Sequence, residues 1–311
     1  MLKLNRGHGA CLLLCLVWAA YYALSKRLLN SHLVSVTGVA FVDRLAIVAV
    51  LFAPFQSVAR ERRAVRGRHW AYLVWVAANF TILNYSFFWA FRWYGQGVAN
   101  AAVLLRTDLI FSILLGRIFF HERARPKELL ALAGMVAGVF LITKVSLRDY
   151  RFQVIGDLLV IGTAFLLTVN AFIIRFALEP CHNTAIAFYN SWGSLGMVAL
   201  IYFALEWQGG ACTRDVEAFL AHPGLLAANL VLGALEAALI LLYYYCLYRF
   251  PVWEVRAYLL FIPFFAALIA WLTPSLREAL TVRQLAGMAT VTVFGLWLMA
   301  LSRAREGAAG G

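Results

Sequence analysis

Charge is scarce in this sequence. Only 14% of its 311 residues are Asp, Glu, Lys or Arg, against about 25% in a soluble globular chain. Apolar residues of the set Ala, Val, Ile, Leu, Met, Phe, Trp, Tyr and Cys make up 63%. Too little polar material remains to cover a water-soluble particle. Cysteine is scarce as well. There are five, none in a CxxC pair, so no zinc site, redox couple or disulfide-built module is signalled. Cys11 and Cys15 stand one helical turn apart in an apolar run, Cys246 ends another, and Cys181 and Cys212 fall in connections. The six histidines lie in loops or at the ends of apolar runs, which predicts no embedded metal site. HExxH, GxSxG and P-loop motifs are missing. Gly95-Gln96-Gly97 lacks a third glycine and reads as a turn. No DxxD or DxxxD pair occurs, so nothing gathers the groups that a membrane-embedded transferase or hydrolase needs. No enzyme activity and no cofactor is expected. The loops are too short for the soluble output module of a sensor.

What remains is long apolar runs. Mean hydropathy is +0.79, and a bilayer core of about 30 Å takes some 17–25 apolar residues per helix. Ten runs meet that length: 9–26, 34–55, 70–92, 97–119, 128–144, 156–178, 184–206, 224–247, 252–273 and 282–302. The expected fold is an all-α membrane protein with ten transmembrane helices. The first run has a basic lead (Lys3, Arg6) but meets bulky Trp18, Tyr21 and Tyr22 instead of a small-residue cleavage site, so it reads as a span. The excess of 27 Lys and Arg over 15 Asp and Glu suits cytoplasmic loops better than nucleic acid. The basic loop Arg60, Arg62, Arg63, Arg66 and Arg68 resists translocation and places both termini inside, in the cell (inner) membrane.

Late in each half a similar stretch occurs: Leu132-Ala133-Gly134-Met135 and Leu285-Ala286-Gly287-Met288. Each follows a short charged turn, and they fall in the fifth and tenth runs. Five spans per half is odd, so the second half enters the membrane upside down, as in many secondary transporters. The expected organisation is two inverted five-helix repeats, 1–146 and 153–303, with a cytoplasmic tail at 304–311.

These segments resemble the EamA-like branch of the drug/metabolite transporter superfamily. The resemblance is carried by Thr107-Asp108-Leu109-Ile110-Phe111-Ser112 through Gly116, by His121-Glu122-Arg123, and by Leu129 to Val139. The second copy runs from Pro263-Phe264-Phe265-Ala266-Ala267-Leu268 through Arg277-Glu278 to Gly287, and Gly156-Asp157-Leu158-Leu159 opens the second half in the same style. The resemblance implies permeation of a small metabolite, often as export, through a ten-helix bundle whose fifth and tenth helices lie outside the pathway. One departure stands out. The family's fourth helix commonly has proline where this chain has Asp108, whereas Pro263 is kept in the ninth.

Five ionisable residues fall near the expected midplane: Asp43, Arg44, Arg106, Asp108 and Glu236. Each costs about 2.5–3.5 kcal/mol at a helix centre on insertion scales, so they are expected to face the interior. Pairing neutralises four; the remaining acid must hold a proton or a cation. Glu236 is the first candidate and Asp108 the second, which raises proton coupling as a hypothesis. Arg106 and Asp108, two apart on a helix, point to nearly opposite faces. Arg106 is therefore expected to reach Asp43 or Glu236, either as a structural ion pair or as a bidentate donor to a substrate carboxylate or phosphate. Asn100, Asp108, Ser112 and Gly116 form one small, polar stripe that suits a cavity wall or a packing face. Asn229, Gly233 and Glu236 share a face of the eighth span, with Tyr243 further along it. Asn79, Asn84, Asn190 and Ser194 are candidates to touch substrate or to bond a neighbouring helix. Trp18, Trp89 and Tyr258 suit an aromatic wall or a packing role, and Glu254 and Arg256 an interfacial pair or gate. Gly134 and Gly138 form a GxxxG that serves close packing within the bundle or in a homodimer.

The reading is a permease for a small polar or amphipathic metabolite, working by alternating access in a lipid bilayer. A nucleotide-sugar or drug carrier of the same superfamily is the nearest alternative. A membrane-embedded transferase or hydrolase is the alternative from another class.

Overall fold

A computed structural model describes residues 6–29, 31, 33–59, 67, 69–93, 104–122, 124–142, 154–177, 181–206, 211–272 and 281–309. Among these residues there is helix and no strand. In chain order the helices are α1 (Arg6–Leu29), α2 (Val36–Ala59), α3 (His69–Trp93), α4 (Thr107–Phe119), α5 (Pro126–Ile142) and α6 (Val154–Phe172), which runs into a π-helical turn (Ile173–Ala177). They continue as α7 (Asn183–Glu206), α8 (Ala211–Ala221), α9 (Pro223–Arg249), α10 (Val252–Tyr258), a 3-10 turn (Leu259–Phe261), α11 (Ile262–Leu272) and α12 (Val282–Ala309). Seven described helical stretches are long and apolar enough to cross a membrane, from Gly7–Leu29 to Val282–Ser302. With the apolar composition they make the chain a multi-pass membrane protein.

The burial pattern explains how such a chain is solvated. Ile118, Leu200 and Val293 are more than 60% exposed, whereas Asp43, Arg256 and Glu254 are wholly buried. Apolar side chains thus face outward, as hydrocarbon requires, and ionised groups face other helices.

Three details differ from the sequence expectation. Part of the run 97–119 lies outside the described set, as do Asn100, Gly95-Gln96-Gly97 and most of the join Lys144 to Ile155; within the described residues Leu104 is helical, a turn follows at Leu105–Arg106, and helix resumes at Thr107. Cys212 lies in α8, a short amphipathic helix within a stretch read as connection. Its mixture of apolar Val216, Phe219 and Leu220 with charged Arg214, Asp215 and Glu217 is too polar for a span, and the face it buries carries Asp215 and Phe219, with Val216 and Leu220 exposed. The run 252–273 is not one helix but two, joined by the 3-10 turn.

The described chain forms two compact units. Unit 1 comprises Met1–Ala19, Trp89–Thr168 and Arg249–Gly311; unit 2 comprises Ala20–Phe88 and Val169–Tyr248. Each draws on both of the expected repeats. In unit 1, α12 packs along α5, and α10 lies on α4. In unit 2, α2 packs along α7.

Glycine sets the α5–α12 seam. A Cβ on Gly138 would stand 2.7 Å from Val291 Cγ2 and 3.0 Å from the Gly287 carbonyl, and a Cβ on Gly134 would enter the Phe294 ring. The two Leu-Ala-Gly-Met segments therefore serve close backbone approach. Both glycines of the GxxxG pack within the unit. The α4 helix ends in a reversal in which Phe120 and Glu122 N–H both bond the Gly116 carbonyl and His121 takes φ +56°. This is the left-handed helix stop, with histidine where glycine is commoner.

Candidate functional site

Each unit buries one guanidinium–carboxylate pair. In unit 2, α2 carries Asp43 and Arg44 and α9 carries Glu236. Arg44 Nη2 donates to Glu236 Oε1 at 2.5 Å and stands 3.6 Å from Asp43 Oδ2. The Arg44 guanidinium also covers the Phe80 ring, 4.7 Å from its centroid, a desolvated cation–π contact. The expected face of α9 makes this approach. A Cβ at Gly233 would lie 2.6 Å from Ala46 Cβ and 2.7 Å from the Asp43 carbonyl, so only glycine lets α9 lie this close to α2. One turn earlier Asn229 Nδ2 donates to the Val39 carbonyl at 3.3 Å. Tyr21 of α1 brings its phenol beside Glu236.

In unit 1, Arg256 of α10 meets Asp108 of α4. Arg256 Nη1 lies 3.3 Å from Asp108 Oδ2, and its Nη2 donates to the Leu167 carbonyl at 2.7 Å. Thr168 Oγ1 bonds the Asp108 carbonyl at 3.2 Å. The stripe Asp108, Ser112 and Gly116 is buried, and its described contacts are those of a packing face: Asp108 meets α10, and Ser112 bonds its own helix at Leu109.

Here the sequence reading is corrected. Arg256 and Glu254 are both fully buried, Arg256 on Asp108, and Glu254 accepting from Ser302 Oγ. The stretch 252–262 is buried without a gap. Arg106 does not take Glu236 as its partner. It donates from Nη1 to the Leu259 carbonyl at 3.1 Å. The cause is local. In a regular helix Leu259 would accept from residue 263, which is proline and has no N–H. The helix tightens to a 3-10 turn, the Ile262 N–H takes the carbonyl instead, and Arg106 supplies a second donor. A matching break lies in α4's approach, where Asp108 and Leu109 N–H bond Leu105 and Arg106 carbonyls in short i to i+3 steps.

A buried histidine was also missed. His8 lies inside α1, and its Nδ1 shares a 2.5 Å hydrogen bond with the Tyr258 hydroxyl. Cys15 Sγ donates to the Tyr258 carbonyl at 3.0 Å. Tyr258 is thus held by α1 at the last residue before the 3-10 turn. The hydropathy of the run hid His8, because the apolar count started after it.

The amides behave as helix ties. Asn79 Nδ2 donates to Asn170 Oδ1 at 3.1 Å, Asn190 Nδ2 to the Tyr244 hydroxyl at 3.0 Å, and Ser194 meets Thr81 at 3.0 Å. The side chains of Asn84 and Trp89 lie outside the described set. Among the described residues no group of His, Cys, Asp and Glu could hold a metal ion.

Known proteins resemble this chain. Over 210 residues it is 29% identical to an uncharacterized transporter of Archaeoglobus fulgidus, covering 66% of this chain and 68% of the relative. A crystal structure of a protein with 15% identity superposes at TM-score 0.71 over 96% of both chains. That likeness concerns the fold alone. Residues 5–144 match the model of the EamA-like transporter family, which the sequence also resembles.

Proposed function

We propose that this chain is a secondary transporter that moves a small polar or amphipathic metabolite by alternating access through ten helices. On this reading 1–146 and 153–303 are inverted five-helix repeats, both termini and the tail 304–311 are cytoplasmic, and the protein sits in the inner membrane. The observation that carries the proposal is the Asp108–Arg256 pair beside an interrupted helix at Leu259–Phe261. Broken helices with charged groups near the bilayer midplane are where secondary transporters bind substrate and coupling ions. The pairing of α5 with α12, α4 with α10, and α2 with α7 supports the repeat: in each pair the two helices occupy corresponding places in the two halves. A proton is the proposed coupling ion, seated where two acids attend one guanidinium, around Asp43 and Glu236.

The test is uptake of a panel of labelled small metabolites into proteoliposomes holding the full chain, with and without an imposed pH gradient. Arg256→Ala, Arg106→Ala and Glu236→Gln are assayed beside the parent. Accepted compounds should be lost or slowed at least tenfold in Arg256→Ala and Glu236→Gln, and the parent rate should follow the gradient. Unchanged transport in all three variants would overturn the site. A rate indifferent to the gradient would overturn the coupling.

A further inference from the structure

We infer that Asp43 and Glu236 share a single proton inside unit 2, with Arg44 holding Glu236 as the ionised partner. The inference deepens the transport reading by naming the seat of a coupling proton. It rests on that reading for the use of the proton, and on geometry alone for its presence.

The geometry is that of two acids and one base. Asp43 is wholly buried, and the guanidinium nitrogen that donates to Glu236 Oε1 at 2.5 Å also stands 3.6 Å from Asp43 Oδ2, so both carboxyls crowd one nitrogen. Two carboxylates cannot approach so closely with both ionised; one proton between them turns repulsion into a hydrogen bond. The Tyr21 phenol serves Glu236, which leaves Asp43 unserved. Neither Asp43 oxygen accepts a bond from a neutral donor among the described residues, and Glu236 Oε2 is likewise without one. The titratable and charged groups facing Asp43 are Tyr21 from α1, Arg44 on its own helix and Glu236 from α9. Of these Arg44 alone is cationic. Its distances rank the two acids: 2.5 Å to Glu236 against 3.6 Å to Asp43. The guanidinium therefore favours ionised Glu236, and the proton resides on Asp43. Neutralising the second acid also removes the cost of an uncompensated charge in an apolar interior. The close approach at Gly233 fixes the pair, so the proton is not traded for a wider separation.

The experiment is infrared spectroscopy of the full chain in liposomes, reading the C=O stretch of neutral carboxylic acids. The parent should show the band. Asp43→Asn should lower it by the equivalent of one carboxyl. Glu236→Gln should lower it equally, because Asp43 then becomes Arg44's only acid and ionises. Asp108→Asn, whose carboxylate has its own guanidinium, should leave it intact. A band unchanged in both Asp43→Asn and Glu236→Gln overturns the inference. Should those variants not fold, the parent is treated with dicyclohexylcarbodiimide, which couples to neutral carboxyls in apolar sites. An adduct mapped by mass spectrometry to Asp43 or Glu236 is expected, and its absence from both overturns the inference. A band that behaves as expected in a protein whose transport ignores the pH gradient upholds the shared proton and refutes only the coupling proposed above.

Discussion

The two compact units build their buried guanidinium–carboxylate clusters differently. Unit 2 gathers two carboxylates, Asp43 and Glu236, around one guanidinium. Unit 1 sets one carboxylate, Asp108, against Arg256, and keeps a second guanidinium, Arg106, on a backbone carbonyl. The first arrangement is short of positive charge and is completed by a proton. In the second the carboxylate has its own guanidinium, and the two arginines also donate to the peptide oxygens of Leu167 and Leu259. Charge that is costly in hydrocarbon is thus used in two ways: to hold an exchangeable proton, and to repair a helix that proline has opened.

The contrast can be broken by removing one cation from each unit. Arg44→Met leaves two acids with no guanidinium, and a loss of about 3–5 kcal/mol is expected for an orphaned buried charge. Arg256→Met orphans one acid and should cost less. Thermal unfolding of both variants in the same detergent checks the order; equal losses would erase the distinction between the units.

Glycine contacts sharpen the comparison. Gly233→Leu in unit 2 and Gly138→Leu in unit 1 should each cost about 1–3 kcal/mol by forcing packed helices apart. Gly162→Leu, at a position open to its surroundings, should cost almost nothing. The same melting assay reads all three. Gly233→Leu should in addition remove the infrared signature of the shared proton, which Gly138→Leu should spare.

The role given to Arg106 predicts a coupling. Arg106→Gln should cost about 1 kcal/mol, the net worth of a hydrogen bond to a buried carbonyl. In a Pro263→Ala background residue 263 regains its N–H, so the same change should cost measurably less. A double-mutant cycle checks this; strict additivity would refute the repair role.

The smallest effect is expected at the start of α2. Asp215 of α8 accepts from the Ser35 N–H at 2.7 Å, from its hydroxyl at 2.6 Å and from Tyr202 at 3.1 Å. Asp215→Asn weakens a charged cap and should lower stability by about 0.5–1 kcal/mol, without touching either charge cluster.

Much of this was written in the sequence, and the remainder had a reason to be hidden. Apolar runs locate most helices within a few residues, because hydrocarbon length dictates helix length. The spacing of Asn229, Gly233 and Glu236 marked a real contact face, since helical period alone brings them together. The partner of Arg256 is Asp108 on another helix, and hydropathy read along one segment does not encode a contact between two. The partner of Glu236 proved to be Arg44 and not Arg106. Two adjacent residues, Asp43 and Arg44, can flank one acid from a neighbouring helix when a glycine permits close approach, and no spacing rule within a single helix encodes that. His8 was overlooked because a single polar residue at the head of an apolar stretch looks like a flank.

The oxygen of Leu259 has a wider consequence. A proline four residues on leaves it permanently short of its regular donor, so its second bond comes from a side chain rooted in another helix. Side-chain bonds can be exchanged without unwinding a turn. The ninth span therefore has a joint whose stiffness depends on what occupies that oxygen, and a passing solute bearing an N–H or O–H would compete with Arg106 for the same lone pair.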